Sequence, residues 1–204
     1  MTIAPQQARR EPLMDPLAAM RCWAYETTFD QVRDEHGVPV VFRIEPLPAA
    51  DWLVATLQAG HLSYLPGLLD DRQRDRLMEA LAVGDLTSDE LVAANQDALE
   101  QMSGWSPWWR ASKLIALLAG SYETIGTLIA EAGVDPQHHS LGAVLGAVYG
   151  MTWRNTGSKE DRAKLTQYVV TPPENVLSAG EWDEEAAEAA VWALIRSGPT
   201  GHRD

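Results

Sequence analysis

Polar and apolar side chains alternate in two stretches near the N-terminus, Arg21–Phe29 and Val38–Ile44. A period of two is typical of a β-strand that buries one face. Residues 34–37, Asp-Glu-His-Gly, lie between the stretches and are typical of a tight turn. The sequence therefore predicts a β-hairpin over residues 20–47, after a flexible segment over residues 1–19. The positions expected to share a face are Trp23, Tyr25 and Thr27 on the first strand, and Val38, Val40, Phe42 and Ile44 on the second.

From residue 48 to residue 197 the apolar positions follow a helical period, and residues 198–204 are interpreted as a flexible tail. Thr87 and Glu90 have the spacing of a capping box, in which each side chain binds a free backbone N–H of the other residue. The predicted fold class is mainly α, a helical domain with a small N-terminal β-hairpin. Because a hairpin alone is marginal in water, it must lie on the helices or pair with another chain. The other predicted helix starts are Pro48, Asp70, Ser106, Ser140, Ser158 and Asp183.

Two helices have a clear predicted inward face, and a third segment is the most apolar stretch of the chain. The apolar segment, Leu114–Ala132, contains Glu123 and Glu131 and is rich in small residues. It is interpreted as a buried helix pair and not as a membrane span. The side chains expected to point inward are Trp52, Leu53, Thr56 and Leu57 on one helix, and Leu77, Met78 and Leu81 on the other.

The chain of 204 residues carries a net charge of −13, from 29 acidic and 16 basic side chains. This charge repels nucleic acid, and no basic stripe offsets it. It suits solubility, the favoured interpretation, and also a cationic partner. The single cysteine, Cys22, cannot form an internal disulfide, and no apolar signal sequence begins the chain. We expect a cytoplasmic protein with no membrane partner.

Gly142, Gly146 and Gly150 recur every four residues on one predicted helix. Residues with this spacing share a helix face, so another backbone can approach closely. Packing against Leu114–Ala132 is the favoured reason for the three glycines, and a groove for a partner helix is the alternative.

No residue pattern indicates catalysis, a metal or a cofactor. His138 and His139 are adjacent and lack the usual spacing of metal ligands. The acidic pair at Asp70 is typical of a helix start. The loop 154–159 contains cations that could touch a phosphate, but a polar loop is the favoured interpretation. No phosphate-binding loop or nucleophile motif occurs, so we predict a protein that is not an enzyme.

A series of short motifs between residues 108 and 169 resembles a known family. The motifs are Trp108-Trp109, Ala-Gly-Val-Asp-Pro at Ala132–Pro136, Ser-Leu-Gly-Ala at Ser140–Ala143 and Ala-Val-Tyr at Ala147–Tyr149. Their order resembles the tail assembly chaperones of long-tailed siphophages that infect actinobacteria. The stretch Arg43–Trp52 is also similar to the start of such proteins, so the resemblance covers residues 40–170.

The resemblance implies a small helical chaperone that binds the tape measure protein and keeps it soluble. It also implies a role in polymerising the tail tube protein, a second candidate partner, and absence from the mature virion. Members are often made in two lengths by a ribosomal frameshift. Most of the eight tryptophans, against two phenylalanines, are interpreted as large core residues, but several indoles would also suit such a binding protein, because indoles are enriched at contact surfaces. The predicted partner-binding residues are Trp105, Trp108 and Trp109 at a helix start, and Val40 and Phe42 on a strand edge.

Two other function classes are weighed against the chaperone. One is a structural virion component at the head–tail junction or the tail tip, which would be present in purified particles. The other is a small enzyme or ligand-binding domain with an apolar helical pocket, which would need polar groups converging in a cavity. A homo-oligomer is compatible with all three.

Overall fold

The computed structural model of the chain describes residues 24–59 and 64–173. The predicted flexible segment 1–19, the helix expected after Asp183 and the tail 198–204 lie outside the described residues, as does Trp23. The described part is mainly helical with a two-stranded hairpin on its N-terminal side, which confirms the predicted fold class.

Two strands and eight α-helices follow one another along the described chain. A π-helical turn, Tyr122–Gly126, lies between α5 and α6. The strands are β1 (Tyr25–Arg33) and β2 (Pro39–Ile44). The helices are α1 (Ala49–Ala59), α2 (Leu65–Leu68), α3 (Asp71–Val83), α4 (Ser88–Ser103), α5 (Trp109–Gly120), α6 (Thr127–Glu131), α7 (Leu141–Asn155) and α8 (Lys159–Val170).

The hairpin is antiparallel, with Tyr25 opposite Ile44 and Thr28 opposite Val41. Its turn is held by Asp34, whose carboxylate accepts hydrogen bonds from two backbone N–H groups of the turn, each at 2.9 Å. β1 is longer than predicted and continues to Arg33. The buried face consists of Tyr25, Phe29, Val32, Phe42 and Ile44.

The hairpin lies on the helical body, which is the first of the two predicted alternatives. The Tyr25 hydroxyl donates to the Ala94 carbonyl of α4 at 3.2 Å and contacts the Asp97 carboxylate at 3.0 Å. Desolvation raises the pKa of Tyr25, so the hydroxyl stays protonated and remains a donor. A buried polar contact of this kind fixes the position of β1 on α4.

Most predicted helix starts are confirmed. Thr87 and Glu90 form a complete capping box at α4. Asp70, Ser140 and Ser158 each accept a backbone N–H from the first turn of their helix.

Ser106 was predicted to cap α5, but it does not, because that helix begins at Trp109. A carboxylate from the preceding helix takes this role. Glu100 of α4 accepts the Trp108 backbone N–H at 3.1 Å and the Ser106 hydroxyl.

Two predicted inward side chains are exposed. Leu57 of α1 and Met78 of α3 both lie at the surface, whereas Trp52 and Leu77 on the same helices are fully buried. In each helix the buried stripe is narrower than the apolar stripe in the sequence.

The apolar segment after Trp109 is two helices, as predicted. α5 and the segment Tyr122–Glu131 meet at an angle of 97°. Among the described residues no single helix is long and apolar enough to cross a membrane. The two parts of the bent pair reach that length and apolar composition only when they are taken together.

α7 occupies the centre of the helical body and contacts α1, α4, α5 and α6. Its side chains Val144, Leu145 and Val148 are fully buried. The loop before α7 also holds the start of α1, since the carbonyls of His139 and Pro136 accept the Ala49 and Ala50 N–H groups at 2.8 and 2.9 Å. The contacts of α7 with α5 and α6 confirm its predicted packing against the apolar segment.

Candidate partner-binding surface

The start of α5 brings two predicted residues together at the surface. The rings of Trp108 and Trp109 meet edge to face, with centroids 6.1 Å apart and an angle of 82°. Both residues are half-buried. Because Glu100 fixes the backbone N–H of Trp108, the pair is held in place by α4 and not by a mobile loop. We call Trp108, Trp109 and Arg110 the α5 tryptophan surface.

Two donors on this surface have no acceptor within the described residues. The ring Nε1 of Trp109 and the guanidinium Nε of Arg110 are shielded from solvent, and neither makes a hydrogen bond there. Arg110 also forms no ion pair with any described acidic side chain. Shielded donors without acceptors cost free energy, and the ring N–H groups of the core residues Trp52 and Trp105 are in the same state. The surface therefore combines two half-buried indole rings with a cation that forms no ion pair within the described residues.

Arg110 was not among the predicted partner-binding residues. Its signal in the sequence is a cation directly after two tryptophans in an acidic chain. Tryptophan and arginine are both enriched among the residues that dominate the binding energy of protein contacts.

Trp105 was expected to contact a partner, but it is buried in the core. Its side chain is only 2 % exposed. The ring packs edge-on against Tyr149 of α7, with centroids 5.6 Å apart.

Phe42 is likewise part of the core, and Val40 is half-buried. Phe42 is 1 % exposed and its ring lies 5.6 Å from that of Phe29. On the same strand Val41, which was not among the predicted residues, is 52 % exposed. The strand thus presents Val41 to solvent, because side chains on a strand alternate between its two faces.

Trp153 of α7 is more exposed than Trp108 and Trp109, and a cation lies over its ring. It is 39 % exposed, and the Arg162 guanidinium lies 4.5 Å from its ring centre. Arg162 is held there by a 3.2 Å hydrogen bond to the Thr156 carbonyl. Trp153 therefore serves as a comparison for the α5 tryptophan surface.

The remaining chemical candidates have structural roles. No group of three His, Cys, Asp or Glu residues within the described ranges could hold a metal ion. His138 contacts the Asp135 carboxylate at 2.8 Å, and hydrogen bonds from the Gln137 backbone and from His138 lower the pKa of Asp135. In the loop 154–159, Ser158 caps α8 and Thr156 binds Arg162.

The three glycines of α7 do not share one environment. Gly142 is buried and Gly146 is half-buried. A Cβ atom added at Gly150 would meet nothing within 4 Å. Packing inside the described chain therefore does not explain Gly150.

Comparisons with protein-family models, curated proteins and solved structures find no match to this chain. The resemblance over residues 40–170 stays a prediction.

Proposed function

We propose that this chain is a tail assembly chaperone that binds a tape measure protein through the α5 tryptophan surface. The observation that carries the proposal is the edge-to-face pair of half-buried Trp108 and Trp109 beside Arg110, which forms no ion pair with a described acidic side chain. The proposal also rests on the resemblance of residues 40–170 to such chaperones.

The chemistry of the surface suits a helical, apolar client. Tryptophan offers a large contact area at little cost in side-chain entropy. The positive charge of Arg110 can attract side-chain carboxylates of the client. The net charge of −13 would keep a complex with an aggregation-prone client in solution.

The proposed role does not involve catalysis or a cofactor. The client would be held only while the tail tube protein polymerises around it, and the chaperone would then be released. Its expected location is the cytoplasm of the infected cell, and we expect it to be absent from purified particles. Mass spectrometry of purified virions separates this role from that of a structural component, which would be found at a fixed copy number.

Co-expression with a tape measure fragment encoded by the same genome tests the proposal. We expect the tagged chain to raise the soluble yield of the fragment and to co-purify with it. The variant Trp108→Ala/Trp109→Ala should lose both effects, while Trp153→Ala, which removes an exposed indole elsewhere, should keep them. Equal recovery with all three proteins would exclude the α5 tryptophan surface. Failure of the unaltered chain to bind any fragment would exclude the function.

A further inference from the structure

The outer edge of β2 is closed by a side chain that imitates a neighbouring strand. The Gln73 carboxamide of α3 accepts the Arg43 backbone N–H at 2.6 Å and donates to the Arg43 carbonyl at 3.2 Å. A residue on an adjacent antiparallel strand would make the same two contacts. Asp70 holds the carboxamide in place, with its Oδ2 accepting the other Nε2 hydrogen at 2.7 Å.

These contacts show which way the backbone of β2 points. The backbone N–H and C=O of Arg43 both bind Gln73, so they face away from β1. Arg43 and Glu26, which lie opposite each other in the register, are therefore a pair without backbone hydrogen bonds between them. Ladder bonding alternates along an antiparallel pair. The N–H and C=O of Val41, two residues earlier, therefore also face the outer edge.

A second side chain of α3 reaches the turn end of the hairpin, at the last residue of β1. Pro39 lies opposite Arg33 in the register and has no N–H to donate. The Arg76 guanidinium donates to the Arg33 carbonyl at 2.9 Å. Gln73 and Arg76 thus fasten α3 to the hairpin on both sides of Val41.

We propose that Gln73 and Arg76 are a guard that keeps β2 from pairing with β2 of a second copy of this chain. Exposed strand edges pair readily with other chains, and covering the edge is one known protection. The inference does not depend on the proposed function.

The second copy is the favoured occupant because the edge complements itself. A twofold axis at Val41 pairs the N–H and C=O of Val41 with those of Val41 in the second copy, and it covers two exposed valine side chains. The Arg43 N–H then meets the Pro39 carbonyl of the other copy. In this dimer each copy donates two hydrogen bonds to the other copy. In the single chain Gln73 makes two hydrogen bonds with Arg43. The number of hydrogen bonds per chain is therefore the same in both states. Because association also costs translational freedom, the closed single chain is favoured while the guard is present.

The test compares Gln73→Ala/Arg76→Ala with the control Gln101→Ala/Arg74→Ala. In the control, Gln101 donates to Asp97 on α4 and Arg74 pairs with Asp71, away from β2. Sedimentation velocity over a range of concentrations gives the mass, and amide exchange by NMR gives the protection of Val41 and Arg43.

The guard variant should approach twice the 22.4 kDa of one chain as its concentration rises. Its Val41 and Arg43 amides should exchange quickly when dilute and slowly when concentrated. In the unaltered chain and the control, the Arg43 amide should be protected and the Val41 amide should exchange quickly at every concentration. Adding Val41→Pro removes the free N–H without breaking a ladder bond, so it should abolish the association.

A folded guard variant whose two amides stay unprotected at every concentration would overturn the proposal. Association that survives Val41→Pro would do the same, because it would use another surface. If the double variant loses the hairpin, Gln73→Ala alone is measured in the same way, since it keeps the Arg76 contact. The same two outcomes then decide.

Discussion

The ammonium group of Lys113 in α5 donates to the Tyr168 backbone carbonyl of α8 at 2.7 Å and lies 4.7 Å from the centre of the same residue's ring. It also donates to the Thr171 carbonyl at 2.6 Å. These carbonyls are at the C-terminal end of α8, where the helix dipole favours a cation. One buried lysine therefore fastens the last described helix to the core.

The free energy of unfolding should rise with pH between 8 and about 9.5. Burial lowers the pKa of Lys113 to about 8, from an ordinary value of 10.5. In this window the unfolded chain binds more protons than the folded one, so a higher pH favours folding, by at most about 1.4 kcal/mol per pH unit. The neutral amine keeps two N–H groups for the two carbonyls. Urea unfolding at pH 7.5, 8.5 and 9.5 measures the effect.

Lys113→Met is the control for this pH dependence, and its free energy of unfolding should not rise across the window. The tyrosines act in the opposite direction only at higher pH, because burial raises the pKa of Tyr168 to about 12. A folded-state pKa above the unfolded one lowers stability only once the unfolded tyrosine ionises, near pH 10. An equal rise in the variant would assign the effect to another group.

Trp105→Ala should lower the free energy of unfolding by about 3–5 kcal/mol, as expected for a fully buried aromatic side chain. Trp153→Ala removes a partly exposed ring and one cation–π contact, so it should cost roughly 1 kcal/mol. Denaturant unfolding of the two variants measures the difference. Equal losses would show that Trp105 is not a core residue.

The sequence was sufficient for the elements that local chemistry determines. The capping box at Thr87, the caps at Ser140 and Ser158, and the hairpin all follow from residues a few positions apart. The start of α5 could not be predicted in this way, because its cap is Glu100, which comes from the preceding helix.

The candidate site was predicted only in part, for a similar reason. A period of two places Phe42 on a face of β2, but only the packing of the hairpin on the helices shows that this face is the buried one. Trp105 and Trp108 are three residues apart around a helix start, and which of them points inward depends on Tyr149 of α7. Arg110 lacks an acceptor only because of the tertiary arrangement, which the sequence does not reveal.

Asn95→Ala should cost about 1–3 kcal/mol, although the residue removed is small and polar. The Asn95 side chain is fully buried, and its Oδ1 accepts the Leu65 N–H of α2 at 2.8 Å. Its Nδ2 donates to the Leu91 carbonyl at 2.9 Å. Alanine leaves a buried backbone donor without an acceptor. Asn155→Ala, at the exposed end of α7, should change the free energy of unfolding by less than about 0.5 kcal/mol, and a similar value for Asn95→Ala would contradict this role.

Gly150→Ala should stabilise the chain by about 0.5–1 kcal/mol, because glycine is costly inside a helix and the added methyl group meets no neighbour. Gly84→Ala is the opposite case. Gly84 ends α3 with a φ of 87°, so alanine there should cost roughly 1 kcal/mol. Thermal unfolding compares the two. A stabilised Gly150→Ala variant that no longer recovers the tape measure fragment would favour the partner groove over packing within the chain.

The affinity of the chain for a tape measure fragment, measured by calorimetry, tests the central claim most directly. Truncating two central aromatic residues of an interface typically costs more than 2 kcal/mol, so Trp108→Ala/Trp109→Ala should weaken binding by at least about 30-fold. Trp153→Ala should bind within about twofold of the unaltered chain, since surface changes away from the contact have small effects. Binding of equal strength by all three proteins, or no binding by any of them, would contradict the account.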